Sequence, residues 1–276
     1  MMDLDPSAAA AGIRLSARDT VGSTNAEALA AARAGERGPL WITARRQSAG
    51  RGRRGRAFVS ESGNLFASLL LTDPSPADRA AELSFVAALA LHDALIEVAP
   101  VLASRLAVKW PNDVLCDGAK LAGILVEGES GAGRGLVTVV GIGVNCAHHP
   151  GDVPYPATDL AACGAAVGPP VLFRALSRAM LCRLIEWDRG QRFGAIRDAW
   201  LRRAAGLGEL VRVSFPEREL FGRFETLDEA GRLVLRLDDG RTELVTAADM
   251  FPLPSRAHDR AASPYGEPVR AAGQST

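Results

Sequence analysis

The stretch "RLAVKWPNDVLCDGAKLAGILVEGE", residues 105–129, decides the fold. It breaks into three apolar runs too short for helices: RLAVKW (105–110), DVLC (113–116) and KLAGILVEGE (120–129). Pro111 keeps the first run from continuing, because proline cannot donate to a ladder. Asp117-Gly118 sits between the second and third, and this pair favours the tight turn of a two-residue hairpin. Strands that follow one another through such short turns pair antiparallel. LVTVVGIGVN (136–145) adds a further strand.

Upstream, PADRAAELSFVAALALHDALIEVA (76–99) has helical apolar spacing, and His92 and Asp93 interrupt it. A buried core helix is therefore expected rather than a membrane span. PLWITA (39–44) and NLFASLLL (64–71) read as strands on either side of a loop. TNAEALAAARAG (24–35) reads as a helix, with Thr24 and Glu27 in capping-box spacing and Gly35 as the stop. Helical patterns return at about 169–205, and a change of composition follows at Gly206 to Gly208. Beyond it, short alternating strands are separated by Pro-Glu, Glu-Ala-Gly and Asp-Asp-Gly turns, which predicts a small β-barrel. The expected class is α+β: a mixed, mostly antiparallel sheet with helices packed on one face, and a small barrel after it.

Composition narrows the function. The chain has 276 residues, 47% of them apolar, enough for a large domain and a small one. Its 32 basic residues balance 32 acidic ones, which argues against a general nucleic-acid binder. The opening MMDLDPSAAAAGIRL has acids where a secretory signal would carry Lys or Arg. Cys116, Cys146, Cys163 and Cys182 are far apart with no CxxC pair, so free thiols in a reducing cytoplasm are expected rather than zinc or disulfides. Only Lys109 and Lys120 are lysines, against 30 arginines, and the asparagines are Asn25, Asn64, Asn112 and Asn145. Where arginine serves for almost every cation, two lysines within twelve residues point to a shared site.

RRQSAGRGRRGRAF (45–58) holds six arginines, three glycines and no acid. Its glycines let backbone N–H groups approach an anion, and its arginines can grip carboxylate or phosphate in two-pronged fashion. With no ligand these charges repel one another, so the loop is expected to be mobile when empty. A solvated basic loop or an RNA contact is the simpler alternative. VKWPNDVL (108–115) brings a lysine, an amide and a carboxylate around a proline. A turn capped by Asn and Asp explains part of this, but not the survival of Lys109. GIGVNC (141–146) lacks the third glycine and the βαβ setting of a dinucleotide fingerprint. For Ser23, helix capping is a better reading than nucleophilic catalysis.

Taken in order, STN, Q..GRGRRGR, GNL..S, KWPNDVL, KLAGILVE and GIGVN resemble the catalytic domain of biotin protein ligases, over residues 20–146. With the small barrel, the resemblance covers about residues 13–254. It implies an N-terminal extension (1–12), a catalytic domain like that of biotin ligases and class II aminoacyl-tRNA synthetases (13–206) and an SH3-like barrel (207–254). Composition predicts a disordered tail over 255–276. The stretch ahead of the first motif is too short for the winged-helix domain some bacterial members carry, so no DNA-binding or repressor role is expected.

The resemblance implies an ATP-dependent ligase that condenses biotin with ATP to biotinyl-5′-adenylate and pyrophosphate. It then passes biotin to a lysine of a biotin carboxyl carrier domain of acetyl-CoA carboxylase or a related enzyme. By the family's pattern Ser23, Thr24, Asn25, Gln47, Gly50, Arg51, Gly52, Arg53, Lys120 and Gly123 would bind biotin. Arg53, Arg56, Phe58, Asn112, Lys120 and Asn145 would bind ATP and the adenylate, and Arg53, Lys109, Asp113 and Lys120 would act in catalysis. Asp113 would orient the incoming lysine or take its proton. Phe58 stands where many members have Trp. Mg²⁺ would shield the phosphates, with no direct protein ligands assigned. No membrane is implied, and a monomer or a homodimer remains open. The rival readings are a lipoate or octanoyl transferase of related fold and a nucleic-acid-binding regulator.

Overall fold

A computed structural model describes residues 1–131 and 135–253. The expected disordered tail at 255–276 lies outside the described residues.

The four strands read around the KWPND stretch are four of the seven in one sheet. They are β4 (Leu106–Lys109), β5 (Asp113–Cys116), β6 (Ala119–Gly131) and β7 (Gly135–Val144), counted after β1 (Arg14–Val21), β2 (Leu40–Gln47) and β3 (Leu65–Thr72). The order is β1-β2-β3-β7-β6-β5-β4, and β1 with β2 is the parallel pair among otherwise antiparallel neighbours. Asp117 and Gly118 have φ of 50° and 76°, the left-handed pair that the hairpin between β5 and β6 requires. Sequence reading missed β1: its residues are mostly exposed and three of the eight are charged, so it lacks an apolar alternation.

Registry fixes the site. Lys109 pairs with Asp113, Asp113 with Gly123, Gly123 with Gly143, and Gly143 with Phe66, one row crossing β4, β5, β6, β7 and β3. Next to that row the ladder slips: Val114 faces Ala122 but Leu115 faces Lys120. The extra residue, Leu121, is fully buried. Since side chains alternate with a period of two, this one-residue bulge turns Lys120 onto the face that carries Asp113.

The helices are α1 (Pro6–Ala10), α2 (Thr24–Arg33), α3 (Leu83–Val98), α4 (Pro169–Trp187) and α5 (Phe193–Leu201). The long upstream helix begins later than the sequence reading placed it, because Ala77–Glu82 winds as 3-10 turns. α3 is apolar nearly all round and buried along its length, as a core helix must be. The helical region at 169–205 is two helices, broken where Asp188, Arg189 and Gly190 take positive φ. α1 packs on α4, with Ala8 buried and the Asp5 N–H donating to Ser177 Oγ at 2.9 Å.

Not all helices share one face of the sheet. Trp41, Leu69 and Val140 join the core under α3 and α4, whereas the alternate residues Leu40, Ile42, Leu70 and Val139 pack on Ala28, Leu29 and Ala32 of α2. α2 therefore covers the opposite side. Its expected capping box does not form either: Ser23 is the N-cap without a side-chain cap bond, and Thr24 is drawn into the site.

The C-terminal strands β8 (Leu210–Ser214), β9 (Glu219–Leu227), β10 (Leu233–Arg236), β11 (Thr242–Val245) and β12 (Asp249–Pro252) form an antiparallel sheet ordered β11-β10-β9-β8-β12. This is the small all-β unit the turn pattern predicts. It shares the main core: Trp110 Nε1 donates to Gly231 O at 3.1 Å, and Phe85 stacks edge-on with Phe193 and Trp200 beside the same turn. β12 is thereby brought to the end of the main sheet where the Lys109–Asp113 row begins.

Candidate active site

One cleft of ≈ 910 Å³, its open mouth included, lies over the row through β3 to β7. One end is neutral and polar. Gln47 Oε1 accepts from Thr24 N at 2.8 Å and lies 3.1 Å from Thr24 Oγ1, while its Nε2 donates to Ser60 Oγ at 2.9 Å. Ser68 Oγ lies 2.8 Å from Thr24 Oγ1 and 2.6 Å from Asn25 Oδ1. Asn25 Nδ2 donates to Glu127 Oε2 at 2.7 Å and to Leu125 O at 3.3 Å. A rigid set of amide and hydroxyl groups at the start of α2 is thus fixed by β2, β3 and β6.

The centre is ionic. Asp113 is buried, with Lys109 Nζ 2.9 Å from Oδ2 and Lys120 Nζ 2.7 Å from Oδ1. Burial alone would raise its pKa; the Lys109 and Lys120 ammonium groups outweigh that and hold it below the ordinary aspartate value. A carboxylate held that low is a weak proton acceptor, so the geometry favours orientation over base catalysis. Lys120 lies 5.3 Å from the Tyr155 ring centroid, and Lys109 5.3 Å from that of Phe251 on β12.

The arginine loop closes the third side. Gly52 N–H donates to Arg56 O at 2.8 Å and Phe58 N–H to Gly50 O at 2.9 Å, folding 50–58 back on itself. Arg54 and Gly55 take φ of 56° and 71°, a left-handed turn that glycine eases. Mutual repulsion is answered by two acids the sequence reading did not connect to the loop: Glu127, 3.1 Å from Arg51, and Asp249 on β12. Arg53 donates to Asn112 Oδ1 at 3.2 Å, and burial lowers its pKa with Asp249 opposing.

Two glycines of GIGVN make room rather than cradle phosphate. A Cβ on Gly141 would overlap Asn25 Oδ1, and one on Gly143 would come within 2.6 Å of Phe58 Cε1. Gly50 is equally constrained, since a Cβ there would lie 2.6 Å from Phe58 O.

A model of the biotin/lipoate A/B protein ligase family matches residues 23–145, and one of the biotin protein ligase C-terminal domain matches 206–251. The biotin–[acetyl-CoA-carboxylase] ligase of Paracoccus denitrificans is 46% identical over 238 residues, covering 83% of this chain and 96% of that one. The chain belongs to the biotin protein ligase family. The enzyme of the same name from Mycobacterium tuberculosis is 34% identical, covering 84% of this chain and 86% of its own. In fold, the ligase resembles the biotin protein ligase from Aquifex aeolicus solved with biotin and ATP, with a TM-score of 0.72 and 24% identity over 87% of this chain and 99% of that one.

Of the residues the sequence singled out in the ligase, the structure gathers Ser23, Thr24, Asn25, Gln47, Arg51, Gly52, Arg53, Arg56, Phe58, Lys109, Asn112, Asp113, Lys120 and Gly123 around the cleft. Gly50 and Asn145 are not in its lining. Gly50 stands behind Phe58 and Ser60. Asn145 points its amide at Thr158 O, 2.9 Å away, tying the end of β7 to the loop beyond. Tyr155, Asp249 and Phe251 were missed. No signal near them in sequence marks them, because their place depends on how distant segments dock.

Among the described residues the Mg²⁺ that the resemblance implies has no built site. No group of three or more His, Cys, Asp or Glu able to hold a metal occurs among the described residues, and the carboxylates in the cleft are each paired with cations. Among the described residues no helix is long and apolar enough to cross a membrane.

Proposed function

We propose that the chain is an ATP-dependent biotin protein ligase that makes biotinyl-5′-adenylate and transfers biotin to one lysine of a biotin carboxyl carrier domain, in the cytoplasm. The observation that carries this reading is a single cleft in which a neutral hydrogen-bonding end meets a cationic centre and a cationic loop. The ureido ring of biotin suits Ser23, Thr24 and Gln47, and the Thr24 and Gln47 groups are held in place by their mutual bonds and by Ser60. Its carboxylate then extends toward Lys120 and the loop.

In the first half-reaction a biotin carboxylate oxygen attacks the α-phosphorus of ATP, and the bond to the bridging oxygen breaks to release pyrophosphate. Two anions must meet, and Arg51, Arg53, Arg56 and Lys120 supply the positive field that offsets their repulsion. Phe58 offers a face for adenine, edge-on to Phe66 at 6.3 Å. Mg²⁺ bound with ATP would supply further shielding of the phosphate charge. In the second half-reaction the neutral carrier amine attacks the acyl carbon, AMP leaves with the bonding pair, and the amine gives its proton to solvent or phosphate. Asp113, held in place by Lys109 and Lys120, orients the approaching amine by accepting a hydrogen bond from one of its N–H groups and leaving the lone pair free to attack.

The biotin–[acetyl-CoA-carboxylase] ligases among the relatives favour biotin over lipoate or octanoate. Incubation with ATP, Mg²⁺ and either biotin or lipoate, followed by mass spectrometry, tests the reading. Biotinyl-AMP is expected, and a carrier domain added next should gain one biotin. Lipoyl-AMP as the sole product would overturn the choice of acid, and no acyl-adenylate with either acid would overturn the activity.

A further inference from the structure

Asp249 opens β12 in the C-terminal sheet, yet its carboxylate sits among the arginines of the β2–β3 loop. Oδ2 lies 2.6 Å from Arg56 Nη2 and 3.5 Å from Arg54 Nη1, and Oδ1 lies 3.7 Å from Arg53 Nη1. The neighbouring Ala248 O accepts from Arg53 Nη1 at 3.3 Å. The Asp249 side chain is only 18% exposed, so these pairs are partly withdrawn from solvent. Two residues on, Phe251 lies over Lys109. One edge of the C-terminal sheet is therefore a wall of the cleft.

We propose that Asp249 is a positioning residue for the nucleotide: acting through Arg53, Arg54 and Arg56, it holds the arginine loop over the cleft so that the loop meets the ATP polyphosphate already folded. One carboxylate faces three guanidiniums, so the cluster keeps a surplus of positive charge for phosphate. Without that carboxylate the three cations, within four successive positions, repel one another and the loop swings out. Ordering it would then oppose binding of ATP, a cost that preorganisation removes. A rival anion would weaken ATP binding instead, and the test separates the two.

This inference rests on the ligase reading, so one arm of the test does not use activity. Trypsin is applied to the ligand-free full chain, with cleavage after Arg51, Arg53 and Arg54 followed by mass spectrometry. Asp249→Asn is expected to speed loop cleavage about tenfold and to raise the KM for ATP about tenfold with kcat within about twofold, and Asp249→Glu to restore both. Arg56→Gln, which breaks the shortest pair from the loop side, should also speed cleavage and provides the readout if Asp249→Asn does not fold. Unchanged cleavage in Asp249→Asn, or in Arg56→Gln where that variant is the readout, would overturn the proposal. A lowered KM for ATP in Asp249→Asn would overturn it too, because the carboxylate would then be a competitor. A wild-type chain that makes no acyl-adenylate would sink the ligase reading while leaving the cleavage comparison intact.

Discussion

Gly143 faces Phe58 so closely that a Cβ on the glycine would lie 2.6 Å from Cε1 and 2.7 Å from Cζ of the ring. Both atoms belong to a side chain anchored edge-on against Phe66, so the ring has to move if the glycine is replaced. Gly143→Ala is predicted to raise the KM for ATP about tenfold, or about 1.4 kcal/mol, with the KM for biotin little changed. Steady-state kinetics on both substrates checks this. Equal rises in both constants would mean that Phe58 does not face the nucleotide.

Lys120 owes its position to the bulge at Leu121 and packs against Gly123, where an added Cβ would lie 3.3 Å from Nζ. A guanidinium is wider and planar and cannot sit there on Asp113 Oδ1 in the same way. Lys120→Arg is predicted to slow biotin-dependent pyrophosphate release by about 10²-fold despite keeping the charge. A rate near wild type would show that charge alone suffices.

Asp113 is the counter-ion of both lysines, and its two roles can be separated. Asp113→Ala is predicted to slow biotin transfer to the carrier more than adenylate formation, measured by single-turnover transfer from preformed biotinyl-AMP. Equal losses in the two half-reactions would refute that division.

The same carboxyl makes a pH prediction. Its pKa is held below the ordinary value of 3.8, chiefly by Lys109 and Lys120 acting against burial. A lowered folded pKa means that the ionised group contributes stability above the unfolded value, and that this is lost as pH falls through the folded one. The difference in denaturant stability between wild type and Asp113→Asn is predicted to stay level from about pH 5 to 8 and to shrink only below about pH 4. A difference that vanishes near neutrality would mean that the carboxyl is protonated there.

The thiols give a test independent of function. Cys116, Cys146 and Cys163 are buried and Cys182 is exposed, all of them free. Burial pushes the Cys116 and Cys146 thiols up to about 12, so neither forms thiolate near neutral pH. Iodoacetamide at pH 8 is predicted to label Cys182 alone until the chain is unfolded, as read by peptide mass spectrometry.

Much of the site could be read in the chain because its chemistry stands out from its background. Two lysines in a chain of 30 arginines, and asparagines confined to a few motifs, are visible without coordinates. The antiparallel core was equally visible, since Asp117-Gly118 and Pro111 dictate where strands turn and stop. Less visible were relations that depend on space. GIGVN has the look of a degraded nucleotide fingerprint, yet its glycines exist to clear Asn25 and Phe58. Thr24 has the spacing of a capping box, yet its hydroxyl serves Gln47.

The sequence by itself determined most of the strands and helices, β1 and α1 apart, the α+β class, the cationic loop and the two lysines that mark the site, because these follow from local turn preference, apolar period and residue type. Only the tertiary structure decided which face Lys120 occupies, which side of the sheet α2 covers and which acid answers the arginines. Asp249 is 193 residues from Arg56 along the chain, and no local pattern links them. Their meeting follows from packing of the C-terminal sheet on Trp110 and Phe85, a contact between surfaces that exist only after each part has folded.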